Sequence, residues 1–144
     1  MRSVCLLLAI ASVALGCRYG TVSIPEWPGQ CWIFQHQPEF RDGQYLKCMS
    51  EPGSMISIHN AQQNAILLKY AKQAFPDGKI YLGLENVHAG RDLGWIWPDG
   101  TPTDYINWAQ GSPALGTACA VLNPDGTWSS NACDQKLPTI CQAR

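Results

Sequence analysis

The chain has no apolar run long enough to span a bilayer, no Asn-x-Ser/Thr sequon, no internal repeat and no block of like charge. Each absence removes a class of function. A spanning helix needs about 20 apolar residues, and the longest stretch, Val4 to Leu15, falls short. Without a sequon, N-glycosylation is not expected. Charged residues make up 15% of the chain and leave a net charge of −1, too sparse and too balanced for a nucleic-acid surface. Histidine occurs three times, at His36, His59 and His88, without metal-ligand spacing or an evident Ser or Cys partner. Carboxylates are scattered singly, and Asp99 and Asp104 read as turn formers, so neither catalysis nor a cofactor is expected.

Cysteine, by contrast, is abundant. There are seven. Arg2 precedes the apolar run from Val4 to Leu15, and the small residues Ala14 and Gly16 form a cleavage site, so residues 1–16 read as a signal peptide for secretion to the extracellular space. Ala14-Leu-Gly-Cys17 also resembles a lipidation site, although Ala14 matches it poorly. Cleavage after Gly16 discards Cys5 and leaves six cysteines, an even number suited to bridges in an oxidising compartment. Residues 17–144 then form one domain of ordinary size, with nine Lys/Arg against eleven Asp/Glu. Six cysteines allow about fifteen pairings, and spacing does not choose among them.

Ile24 to Phe34 carries two turn-like prolines and then Cys31-Trp-Ile-Phe34, which reads as a strand entering the domain. Pro38 is placed to start a helix carrying Phe40, Tyr45, Leu46 and Cys48 on one buried face, weakened by Gly43. Met55 to Ile58 is a short strand. Asn60 then caps a second helix, with Gln63 as the capping-box partner. Ala61, Ala65, Leu68 and Ala71-Lys72 follow its 3.6-residue period, Ile66, Leu67 and Tyr70 widen the apolar face, and Pro76-Asp77-Gly78 ends it. Lys79 to Leu84 is a buried strand, while Cys119–Leu122 and Thr127-Trp128 are the arms of a hairpin turning at Asp125-Gly126. Between them lie some thirty residues rich in Trp and Gly, a length that marks a functional loop or a misread element.

Tyr81-Leu82-Gly83-Leu84, Trp97-x-Asp99-Gly100, Tyr105-x-x-Trp108-x-x-Gly111-x-Pro113, Trp128-x-x-x-x-Cys133 and Leu137-Pro138-x-Ile140-Cys141 occur in an order that resembles the C-type lectin-like domains. The resemblance covers essentially all of residues 17–144. It implies an α+β fold in which two helices flank small antiparallel sheets with a long ordered loop. It also implies the disulfides Cys17–Cys31, Cys48–Cys141 and Cys119–Cys133, the first closing the N-terminal hairpin of long-form members.

In sugar-binding members of that family a loop-bound calcium ion accepts two hydroxyls of a monosaccharide. Calcium takes about 6–8 oxygen ligands, carboxylates foremost. The family's Glu-Pro-Asn or Gln-Pro-Asp triplet falls here on Ser112-Pro113-Ala114, its next acidic ligand on Thr117-Ala118, and its Trp-Asn-Asp triplet on Trp128-Ser129-Ser130. None of these is a carboxylate, so no metal is expected. Asn123-Pro124-Asp125 imitates the sugar-binding triplet but reads as turn chemistry. Either isomer is open to the Ser112–Pro113 bond. The family uses Trp97, Trp108 and Trp128 mainly in packing, which leaves Trp95 as the least committed aromatic and a candidate sugar platform. The resemblance therefore implies a secreted binding protein. The first expectation is calcium-independent carbohydrate recognition by Trp95, Asp104, Gln110 and Ser112 in the loop and Asp125, Ser129 and Ser130 in the hairpin. The alternative is an extracellular protein ligand on the same surface, with ice or mineral binding more remote.

Overall fold

In the computed structural model, which describes residues 16–88 and 94–143, period-two burial divides the core into two sides. The leader expected over residues 1–16 lies, except for Gly16, outside the described residues. Along strand β4 (Ile80–Asn86), Ile80, Leu82 and Leu84 join one apolar cluster with Trp32, Ile58, Leu67, Leu122, Trp128 and Ile140. Tyr81 instead joins Cys48, Met55, Cys119, Val121 and Cys141. Side chains alternate across a strand, so a continuous apolar run is the signature of a strand covered on both faces.

The remaining elements, in chain order, are β1 (Val22–Ser23), β2 (Cys31–Glu39), α1 (Arg41–Ser50), β3 (Gly53–Met55), α2 (Ala61–Ala74), β5 (Trp95–Ile96), β6 (Cys119–Leu122), β7 (Trp128–Asn131) and β8 (Leu137–Ala143). They form one eight-stranded sheet in the order β1-β2-β8-β4-β6-β7, with β3 beside β8 and β5 beside β4. The named strands pair antiparallel except where Tyr81 of β4 faces Thr139 of β8 in parallel, and Trp108 of the loop adds an isolated parallel bridge to Trp128 of β7. The fold is thus α+β, two helices flanking a mixed sheet. It is held by the three disulfides Cys17–Cys31, Cys48–Cys141 and Cys119–Cys133.

Helix α1 departs from the sequence reading. It begins at Arg41, because β2 runs on to Glu39 and Pro38 sits where the β2–β8 register shifts. A residue without an N–H is tolerated at such an irregularity. Phe40 and Leu46 are exposed, and the buried face is Arg41, Gln44 and Cys48. These polar residues are buried because partners await them. Gln44 Nε2 donates to the carbonyls of Gln37 and Leu137 at 3.0 and 2.6 Å, and Arg41 pairs with Glu85 at 2.8 Å with its guanidinium 5.1 Å from the Tyr45 ring centroid.

Helix α2 opens as expected. The Asn60 side chain accepts from Gln63 N at 2.8 Å, and Gln63 reaches back to His59 N at 2.7 Å. Its buried stripe, however, is Asn64, Ile66, Leu67 and Ala71, leaving Ala61 and Ala65 in solvent. Asn64 earns its place by donating to Gly126 O at 2.9 Å and accepting from Trp128 Nε1 at 2.8 Å. The strand expected over Met55–Ile58 ends at Met55. Beyond it, Ile56 N donates to Ile140 O at 3.2 Å and Ile56 O accepts from Gly83 N at 3.0 Å. That approach explains Gly83, where a Cβ would lie 2.9 Å from Ile56 O.

Candidate functional site

The long loop, described over residues 94–117, is organised by aromatic packing. Trp128 lies fully buried on β7, with the rings of Trp97, Tyr105 and Trp108 meeting it edge-on at 5.9, 5.6 and 6.0 Å. Such edge-to-face pairs add about 0.5–1.5 kcal/mol beyond area burial. The backbone of Trp128 also clamps the loop, donating to Asn107 O at 2.8 Å and accepting from Ala109 N at 2.7 Å. Trp95 is bound into the same stack. Its ring meets Trp108 at 4.8 Å, its Nε1 is buried without a partner, and its carbonyl accepts from Thr103 Oγ1 at 2.9 Å. It is half-buried.

The positions that would hold calcium are turned inward on one another. The Ser112–Pro113 bond is cis. Ser130 Oγ accepts from Ala114 N at 2.8 Å, Ser130 N donates to Ser112 Oγ at 3.4 Å, and Thr117 Oγ1 donates to Ala114 O at 2.5 Å. These neutral hydroxyls supply none of the negative charge a divalent ion needs to offset its dehydration, so the residues do not fit calcium. Among the described residues no group of three His, Cys, Asp or Glu could hold a metal ion.

The seven candidate contacts therefore fall into separate groups. Ser112 and Ser130 meet across the loop base. Asp125 lies in the hairpin turn, where its Oδ1 accepts from Thr127 N and Oγ1 at 2.9 and 2.7 Å, and Ser129 on β7 donates its Oγ proton to Asn123 Oδ1 at 3.1 Å. Those donors hold the Asp125 carboxyl below its ordinary value. Asp104 contacts His59 Nδ1 at 2.7 Å. Gln110 is exposed.

A polar hub beneath the loop was not legible in sequence. Asp99 Oδ2 accepts from Ser57 Oγ at 2.5 Å and Gln142 Nε2 at 2.7 Å, while Oδ1 accepts from Thr101 N and Oγ1 at 3.0 and 2.6 Å. Only the local Asp-Gly-Thr turn had a sequence signal. Burial acts to raise the Asp99 carboxyl, but the donors from Ser57, Thr101 and Gln142 outweigh it and leave it below its ordinary value of 3.8. A depressed folded pKa contributes stability above the unfolded value that is lost as pH falls through the folded one. Asp99→Asn is accordingly expected to flatten the acid limb of stability below about pH 4. At neutral pH it should cost about 1–3 kcal/mol, because Ser57 and Gln142 lose their acceptor. Urea unfolding across that range reads both effects, and an unchanged acid limb would rule out the hub as its source.

Ser57, His59 and Asp104 have the contacts of a nucleophile, base and orienting acid, with His59 Nε2 3.3 Å from Ser57 Oγ. The chemistry differs. The only hydroxyl proton of Ser57 is given to Asp99, so His59 has none to accept from it.

A disulfide-braced eight-stranded sheet presenting a long loop packed around Trp128 is the architecture of a C-type lectin-like domain. Residues 40–143 match the family described as Lectin C-type domain, and the chain belongs to it. Among curated proteins it is 29% identical over 127 residues to lymphocyte antigen 75 of Mus musculus and 27% identical over 126 residues to C-type mannose receptor 2 of Homo sapiens. Those alignments cover 79% and 82% of this chain but only 7% and 8% of the two relatives. Among solved structures, human lithostathine superposes with a TM-score of 0.78 at 19% identity, covering 96% of this chain and 98% of that one. The cow carbohydrate-recognition domain of CD23, crystallised in the presence of an oligosaccharide, gives 0.73 at 23%, covering 88% and 95%. A calcium-independent type II antifreeze protein gives 0.74 at 22%, covering 88% and 93%.

Proposed function

We propose that this domain is a secreted, calcium-independent recognition module whose long-loop face binds an extracellular protein. The carrying observation is what that face offers. Ile96, Ile106 and Leu115 stand 43%, 55% and 78% exposed along the loop, whereas the hydroxyls of Ser112, Ser129 and Ser130 are engaged in internal hydrogen bonds. Exposed aliphatic side chains amid polar neighbours suit a protein interface, where buried apolar area supplies the affinity. Three disulfides, together with the leader expected over residues 1–16, support export to an oxidising compartment. Among the described residues no helix is long and apolar enough to cross a membrane.

Carbohydrate is the second reading. It is favoured by the exposure of Asp104, Gln110 and Asp125, by the partial exposure of Trp95, and by likeness to the cow domain crystallised in the presence of an oligosaccharide.

A glycan array probed in calcium and again in chelator separates the readings, and silence in both is expected. Signal in chelator would move the ligand to carbohydrate. Signal that needs calcium would overturn the calcium-free mode altogether, as would calorimetry showing calcium affinity tighter than about millimolar, the weak end of natural sites. On the protein side, Ile96→Asp with Ile106→Asp should abolish capture of the partner from secretions while leaving the unfolding midpoint within the range of surface substitutions, about 0.5 kcal/mol.

A further inference from the structure

The turn after α2, strand β2 and the segment entering β8 enclose a cleft of ≈ 480 Å³. It shares no lining residue with the long-loop face. Its size falls in the range of small-molecule sites, about 300–1,000 Å³. The walls are apolar, chiefly Phe75, Pro76, Leu137 and Pro138. Phe75 is only 3% exposed, and its ring lies 5.2 Å from that of the exposed His36. His36 in turn stacks on Phe34 at an interplanar angle of 24°. A second cleft of ≈ 250 Å³, lined in part by Phe34 and Tyr70, shares His36 and Ala74 with the first.

The rim of the larger cleft is cationic. Lys79 and Lys136 both line it against a single carboxylate, Asp77. Among the described residues neither ammonium lies within ion-pair distance of a carboxylate, and the contact Lys136 makes is with the Phe40 ring at 5.1 Å. Lys69, by contrast, is paired with Glu26. Two lysines without carboxylate partners at the edge of an apolar cleft complement a molecule that is apolar on one side and negatively charged on the other.

We propose that this cleft is a second ligand site, separate from the long-loop face, which takes a small organic anion with an aromatic or aliphatic body. The body lies against Phe75, Leu137 and the proline walls, and the anionic group meets Lys79 and Lys136.

The probe is 8-anilinonaphthalene-1-sulfonate, compared with the uncharged N-phenyl-1-naphthylamine, on the folded, disulfide-bonded protein. Saturable binding of the sulfonate is expected, with amide shifts confined to His36, Phe75, Lys79 and Lys136 and their neighbours, and with the neutral analogue binding more weakly. Lys79→Gln with Lys136→Gln should lower sulfonate affinity roughly tenfold, the strength of two exposed ion pairs, and Lys79→Arg with Lys136→Arg should restore it. Added salt should weaken wild-type binding. Ile96→Asp with Ile106→Asp should leave probe binding unchanged, which keeps this site's test independent of the long-loop function. Shifts centred elsewhere, equal affinity for the neutral analogue, or full affinity in the double Gln variant would each overturn the proposal.

Discussion

Replacing Cys48 and Cys141 together by alanine is expected to cost about 4–5 kcal/mol, because the bridge closes a loop of 93 residues and the loss scales with the logarithm of loop length. Domains of this size are stable by about 5–15 kcal/mol, so the variant approaches the folding threshold. Position adds to topology. Both sulfurs are buried among Met55, Tyr81 and Val121, and the bridge ties α1 to β8, next to strands β2 and β3. The Cys17–Cys31 and Cys119–Cys133 bridges each span 14 residues and should cost less, about 3 kcal/mol apiece. Guanidinium unfolding of the three double-alanine variants gives the ranking directly. Equal losses, or a loss under about 2 kcal/mol for the long bridge, would contradict loop closure as the source.

Trp128→Ala should cost about 3–5 kcal/mol, the range for emptying a large aromatic from a core, and its effect should extend into the loop. Three rings rest on that indole, and its N–H holds the Asn64 amide that also grips the hairpin turn. The expected signature is faster amide exchange over residues 105–113 together with a lost near-ultraviolet signal. Trp128→Phe separates the two roles. It keeps most of the ring packing but leaves Asn64 Oδ1 buried and unpaired, at about 1–3 kcal/mol. If the alanine variant loses under about 1.5 kcal/mol and the loop exchanges as before, the indole does not organise the loop.

Much of the fold could be read before any coordinates. Asn60 and Gln63 announced the start of α2 because capping is a local arrangement of donors and acceptors. Asp125-Gly126 announced the hairpin because Gly126 adopts a φ of 89°, which glycine tolerates. The faces of the helices were misjudged for a common reason. Hydrophobic periodicity assumes that buried means apolar, whereas Gln44, Arg41 and Asn64 are buried because distant carbonyls and carboxylates receive them. The candidate site was half legible. Loss of charge at Ser112, Thr117 and Ser130 is a property of residue identity, but the inward pairing of those hydroxyls and the seating of Trp95 on Trp108 are not.

By itself, then, the sequence determined the family, the cysteine framework that its resemblance implies, and the absence of carboxylates where relatives hold an ion, since each is a matter of which residue stands in which order. Tertiary structure alone decided that Asp99 gathers Ser57 and Gln142 from 42 and 43 residues away, that the Ser57 hydroxyl is thereby directed to Asp99, and that Lys79 and Lys136 line one cleft with Phe75. Such contacts join segments remote in the chain, and no local pattern encodes which donor will arrive at which acceptor.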